Sequence, residues 1–146
     1  MTYSIGEVAE MFHLSVSTLR FYDKEGLFIN LERDSSGIRK FNESNLEAIR
    51  LIECLKKAGM QIKEIKEFMR WVELGDSTIP KRKEMFLKQK ENIEREIQEL
   101  NKALDMIKFK CWYYDEAMKD NNELRVKNMS LTEMPEEIRD VYERSH

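Results

Sequence analysis

The chain of 146 residues is 36% charged and 41% hydrophobic with a formal net charge of −3, enough for one domain and an extension but short of two full cores. Residues 1–75 hold 11 Lys and Arg against 12 Asp and Glu, and residues 76–146 hold 14 against 16, so an indiscriminate polyanion binder is excluded and any nucleic-acid affinity depends on placement. No signal peptide is recognised and no apolar run approaches the ~20 residues of a membrane span, which sets the expected compartment as the cytoplasm with no membrane partner.

In chain order, Ser4-Ile5-Gly6-Glu7 matches a capping box, and Ile5, Val8, Ala9 and Phe12 recur at helical spacing behind it. A short link, His13-Leu14, leads to Ser15, a cap for a second helix that Gly26 can close with a left-handed residue. Two helices joined by so short a turn form a helix-turn-helix. His13 stands alone, with no metal-ligand spacing around it, and fits a surface or capping role. On the second helix Val16, Leu19 and Phe21, with Leu27 beyond it, offer an apolar side for packing. Ser17, Thr18, Arg20, Tyr22 and Lys24 offer donors of the kinds that meet phosphates and base edges. An ordinary amphipathic helix would show the same split.

Leu27–Arg33 and Ile38–Phe41 flank the turn Asp34-Ser35-Ser36-Gly37 and read as a hairpin. Set directly behind a recognition helix it would be a wing, with Arg33, Arg39 and Lys40 over the DNA backbone; a solvated hairpin with surface charges is the alternative. Asn42 to Asn45 supply caps for a third helix through Leu46, Ile49, Ile52, Leu55 and Ala58, stopped by Gly59. A fourth runs from about Gln61 through Ile62, Ile65, Phe68, Met69 and Val72 to Gly75. Lys56, Lys57 and Lys63 cluster at the corner between them, either as a second backbone clamp or as plain solvent contacts.

Several ordered motifs then coincide. Ser4-Ile5-Gly6-Glu7-Val8-Ala9, Leu19-Arg20-Phe21-Tyr22-Asp23-Lys24-Glu25-Gly26-Leu27, Gly37-Ile38-Arg39-Lys40-Phe41, and Lys57-Ala58-Gly59-Met60 with Ile62-Lys63-Glu64-Ile65 resemble the MerR family of transcription regulators over about the first 75 residues. The resemblance implies a mainly α fold, a winged helix-turn-helix DNA-binding domain with a second helix pair followed by a long dimerisation coiled-coil helix. It also implies a homodimer that binds double-stranded promoter DNA with an overlong spacer and distorts it, so that RNA polymerase is aligned indirectly. By that resemblance the DNA contacts fall on Ser17, Thr18, Arg20 and Tyr22 of the recognition helix, Arg39 of the wing, and Lys57 and Lys63 at the second corner. Gln61 stands where the family often has a Ser or Thr cap.

Gly75-Asp76-Ser77-Thr78-Ile79-Pro80 is a break and a restart, placing a hinge at 76–80 after a DNA-binding domain at 1–75. Beyond it Phe86, Ile93, Leu100 and Ile107 are seven apart, and Ile97, Leu104 and Cys111 follow the last three of these by four residues, an a/d seam for residues 81–113. Lys83 and Lys90 weaken the early part of that seam. A helix of about 32 residues, ~48 Å long, has only a stripe to bury and needs a partner helix or its own domain to cover it. Pairing suits DNA, whose successive major grooves are ~34 Å apart; the antiparallel direction of the pair is implied by the resemblance.

The effector is approached first by absences. Cys54 and Cys111 form no Cys-x-x-Cys pair and are expected as free thiols in the cytoplasm. Metal-responsive relatives carry a cysteine at the start of the long helix and a pair after it, whereas here no thiol cluster follows Cys111, so neither a metal nor a cofactor is expected. The 35 residues after Cys111 are too few for a large ligand-binding domain. Cys54 has Arg50 and Lys57 one turn away on either side, neighbours that favour a thiolate, although Glu53 opposes them and a small core residue between Leu51 and Ala58 would fit equally. Cys54, the short tail, and Lys110-Cys111-Trp112-Tyr113-Tyr114-Asp115 resemble the thiol-dependent, aldehyde-responsive branch of the family, which implies that Cys54 is the sensor. Trp112 and Tyr114 are alternatives for a small-molecule pocket, or simply packing. The tail, 114–146, has scattered apolar residues, a short helical stretch after Pro135, and an end expected to be loose. No Gly-rich phosphate cradle, metal triad or Ser-His-acid set points to an enzyme. A coiled-coil interaction protein without DNA would account for residues 80–111 but not for the wing.

Overall fold

The computed structural model describes residues 1–146 and is mainly helical: α1 (Ile5–Phe12), α2 (Val16–Lys24), β1 (Glu32–Arg33), β2 (Arg39–Lys40), α3 (Glu43–Lys57), α4 (Ile62–Leu74), α5 (Ile79–Asp120), α6 (Leu124–Lys127) and α7 (Glu136–Ser145). It separates into two compact units, Met1–Lys90 and Glu91–His146. No helix is long and apolar enough to cross a membrane.

The first unit is a winged helix-turn-helix followed by a second helix pair. Ser4 accepts from the Glu7 amide while Glu7 accepts from the Ser4 amide, both at 3.1 Å, so the capping box starts α1 as the pattern predicts. His13 ends that helix in the left-handed region, φ 54°. Ser15 Oγ accepts from the Thr18 amide to start α2. Asn42 and Asn45 cap α3 reciprocally, which explains how Asn45 can be buried without an unmet polar group. Leu19, Tyr22, Leu27, Phe41, Ile49, Ile52 and Ile65 form the fully buried centre of the unit. Phe28 meets Phe41 edge-on at 5.5 Å, and backbone bonds between Tyr3 and Phe41 tie the N-terminal segment to the hairpin.

The hairpin strands are shorter than the sequence suggests. Leu27 and Phe28 are committed to the core and Asn30 takes a left-handed conformation, which interrupts the first arm. Only Glu32↔Lys40 and Arg33↔Arg39 pair. The break at 76–80 is a turn of 3-10 helix over Asp76–Thr78. Gly75, at φ 89° and ψ −158°, occupies a region closed to side chains. Thr78 is buried and its hydroxyl donates to the carbonyl of Trp71 or Gly75 while Arg82 Nε donates to Thr78 Oγ1 at 3.1 Å. Phe86 then lies edge-on to Phe68 at 5.4 Å.

In the second unit α5 continues to Asp120, seven residues past the expected end at 113, and Asn121 reverses the chain with φ 55°. The expectation of a loose end to the tail is corrected, since α7 runs to Ser145. Phe109 packs with Trp112, Tyr113 and Tyr142, and Val141 of α7 is buried beside them. Arg144 donates to both Asp105 carboxylate oxygens at 3.1 and 3.3 Å, and that guanidinium holds the Asp105 carboxyl below its usual range. An aromatic cluster at one end of a helix gave the tail a surface on which to bury its own apolar residues.

Candidate nucleic-acid interface

The outward face of α2 is built by the 3.6-residue period around two buried anchors. Leu19 and Tyr22 point inward, so Ser17, Arg20, Phe21 and Lys24 share the opposite, exposed side. This corrects two positions. Phe21, expected to pack, is 45% exposed, whereas Tyr22, expected to read DNA, is 1% exposed. The reason is registry: position 22 is three residues from Leu19 and falls on the core side, where position 21 cannot reach.

Tyr22 instead braces the helix. Its hydroxyl donates to Glu53 Oε1 at 2.6 Å and accepts from Lys56 Nζ at 2.7 Å. Burial first, and then the Glu53 hydrogen bond, push the phenol above its usual 10.0, so it remains a donor at neutral pH. Because the folded value is the higher one, the stability this phenol adds is present below pH 10.0 and is lost as pH rises past the raised value. Lys56, which the sequence places only among the corner lysines, is thereby turned from α3 toward the recognition helix. The signal for that role lies in its partner, a tyrosine 34 positions away.

At the start of α2 three hydroxyls gather: Ser15 Oγ lies 3.0 Å from Ser17 Oγ and 2.8 Å from Thr18 Oγ1. Ser17 is exposed and Thr18 half-buried. Arg20 is exposed and forms no ion pair within the chain. Lys57 and Lys63 are both exposed, at the end of α3 and the start of α4. The Gln61 amide donates to Glu64 Oε1 at 3.1 Å, so α4 is capped without a Ser or Thr.

Arg39 is not free to act as an independent contact. Its Nε donates to Asp23 Oδ2 at 2.8 Å, and Arg33 reaches the same oxygen at 3.2 Å. One carboxylate of the recognition helix therefore holds both arms of the wing. Asp23→Asn should lower the unfolding free energy by about 1 kcal/mol in chemical denaturation and speed proteolysis within the turn at residues 34–37. Unchanged stability and cleavage would show that something else fixes the hairpin.

Cys54 is exposed and free, which removes the reading of it as a small core residue. Arg50, expected to favour its thiolate, pairs with Glu47 and lies over the Phe12 ring at 5.7 Å. Cys111 is also exposed and free. Trp112 and Tyr114 do not line one pocket. Two helical positions separate them by ~200°; Trp112 joins the Phe109 cluster and Tyr114 is exposed. An open cleft of about 700 Å³ does exist in the first unit, lined by Met60, Trp71 and Met85 with Lys63, Lys81 and Lys88 among its charged residues. No three His, Cys, Asp or Glu side chains are grouped to hold a metal ion.

Comparison with known proteins places this geometry. Residues 3–71 match the MerR HTH family regulatory protein pattern and residues 46–108 the MerR DNA-binding pattern. An HTH-type transcriptional regulator of Haemophilus influenzae is 40% identical over 136 residues, spanning 93% of this chain and 98% of the relative. Among solved structures, HiNmlR, described as a MerR family regulator lacking the sensor domain and bound to promoter DNA, superposes with a TM-score of 0.77 at 40% identity, covering 84% of this chain and 98% of that one. A MerR family transcriptional regulator from Bacillus thuringiensis gives a TM-score of 0.69 at 45% identity, covering 76% and 97%.

Proposed function

The chain belongs to the MerR family of DNA-binding transcriptional regulators, and from that premise we propose that it works as a homodimer that distorts promoter spacer DNA when Cys54 meets a reactive aldehyde or another electrophile. The observation that carries the dimer is the stripe on α5. Ile97, Leu100, Leu104, Ile107, Tyr114 and Met118 are all large, apolar and exposed on one chain, and they follow the seven-residue repeat with its four-residue offset. A second copy of the same helix covers such a stripe, since a uniform apolar ridge is its own best complement.

With two copies joined, each presents an α2 face of Ser17, Arg20 and Lys24 to one half of a duplex, with Thr18 at its edge. Lys57 and Lys63 meet the phosphate backbone, and Arg39 acts through the wing it shares with Asp23. Tyr22 supports the face from behind. The DNA deformation is the lever by which RNA polymerase is affected, so the protein need not touch the polymerase.

Cys54 and Cys111 differ once the dimer forms. Cys111 lies in the repeat of the stripe and becomes covered, whereas Cys54 on α3 stays accessible. Addition of the Cys54 Sγ to an aldehyde carbon places a proton on the former carbonyl oxygen and consumes no further reactant. Cys54→Ser should abolish the transcriptional response to aldehydes and leave promoter binding intact, and a thiol reagent should label one cysteine per chain in the native dimer. A full response from Cys54→Ser would remove Cys54 as the sensor. A second reading, a non-thiol effector, is favoured by the cleft at Met60, Trp71 and Met85 and would show as a change in Trp71 fluorescence with the inducer in the Cys54→Ser variant. Footprinting of DNA upstream of the gene, with and without electrophiles, tests binding and response together; no protected inverted repeat would reject the reading.

A further inference from the structure

Phe21 is the large apolar side chain on the outward face of α2. It shares that face with Ser17 one turn before it, Arg20 beside it and Lys24 nearly one turn after it, all exposed. Its nearest aromatic neighbour, Tyr22, is 6.3 Å away at a 50° tilt, and the side chain is 45% exposed on the single chain. A phenyl ring has no donor for a phosphate. Two cations flank it, which draws a polyanion to the surface and disfavours an apolar protein partner there.

In a major groove the one apolar feature of a base edge is the 5-methyl group of thymine. We propose that Phe21 is a specificity-determining residue that packs on a thymine methyl within about two base-pair steps of the pair contacted by Arg20. The inference rests on the DNA-binding reading above. The distance follows from the helix: Arg20 and Phe21 are adjacent, separated by only ~1.5 Å of rise and ~100° of rotation, so their side chains reach base pairs no more than about two steps of ~3.4 Å apart in a duplex. The sequence on each operator half-site therefore carries a required thymine that no hydrogen-bonding side chain selects. Arg20 supplies the polar part of the code, and Phe21 supplies the apolar part.

Deoxyuridine removes the methyl group and nothing else. The operator is first defined by footprinting with the full-length protein, and each thymine of a half-site is then replaced singly by deoxyuridine. Wild-type protein should lose about fourfold in affinity at one position per half-site, the value of one buried methyl. Phe21→Ala, whose thermal unfolding should match the wild type because the ring is exposed, should bind the thymine and deoxyuridine operators equally. An operator that wild type binds with no deoxyuridine penalty at any position overturns the inference while leaving the DNA-binding reading in place. An equal penalty in Phe21→Ala does the same, since the methyl would then act through DNA shape. Loss of self-association in Phe21→Ala would assign the ring to a protein contact. Failure of the wild type to protect any DNA would sink the DNA-binding reading and this one with it.

Discussion

Leu100→Glu combined with Leu104→Glu is expected to leave the purified protein monomeric and to lower operator affinity at least a hundredfold. Leu100 is 70% exposed and Leu104 47% exposed on the single chain, so charge at these positions costs its fold little. In a dimer the same carboxylates would be buried in an apolar seam, at a cost of several kcal/mol for each unpaired charge. Operator binding falls because two α2 faces held together bind far more tightly than either alone, by about 10²- to 10⁴-fold. Sedimentation velocity reads the assembly state and a gel-shift titration reads the affinity. A variant that stays dimeric would move the interface off this stripe.

Arg20→Ala is expected to weaken operator binding by about 10- to 100-fold and to relax preference at one base pair per half-site, the worth of a bidentate contact to guanine. Arg20 is exposed and has no ion-pair partner within the chain, so the loss should appear in affinity and not in thermal unfolding. Lys57→Ala makes the useful contrast, since loss of the proposed phosphate contact should weaken binding to all sequences alike and lower the salt dependence by about one ion. If Arg20→Ala bound its operator as well as wild type, α2 would not be the reading element.

The two substitutions test different levels of one design. In the proposed dimer the seam would set the spacing of the two α2 faces and Arg20 would contribute to what each face reads. Asp23 lies between these levels. It sits on α2 yet spends its carboxylate on Arg33 and Arg39, so the hairpin and the helix are held as one piece.

What the sequence by itself determined were the features made by residues within about four positions of one another. The Ser4–Glu7 capping box, the caps at Ser15 and Asn42, the left-handed closure at Gly26 and the apolar repeat of α5 are bonds or periods internal to a helix, and each is visible as a spacing. The family motifs supplied the order of these parts. Only the tertiary structure decided which side of α2 faces outward, because Leu19 marks the core side only once the helix is packed, and the Tyr22 hydroxyl on that side then donates to Glu53, 31 positions away. It likewise tied Arg39 to Asp23, turned Arg50 away from Cys54, and ordered the tail through Arg144 and Asp105, 39 positions apart. Spacing along a chain determines neighbours on one helix, whereas a polar partner from another element is chosen only when packing has removed water from between them.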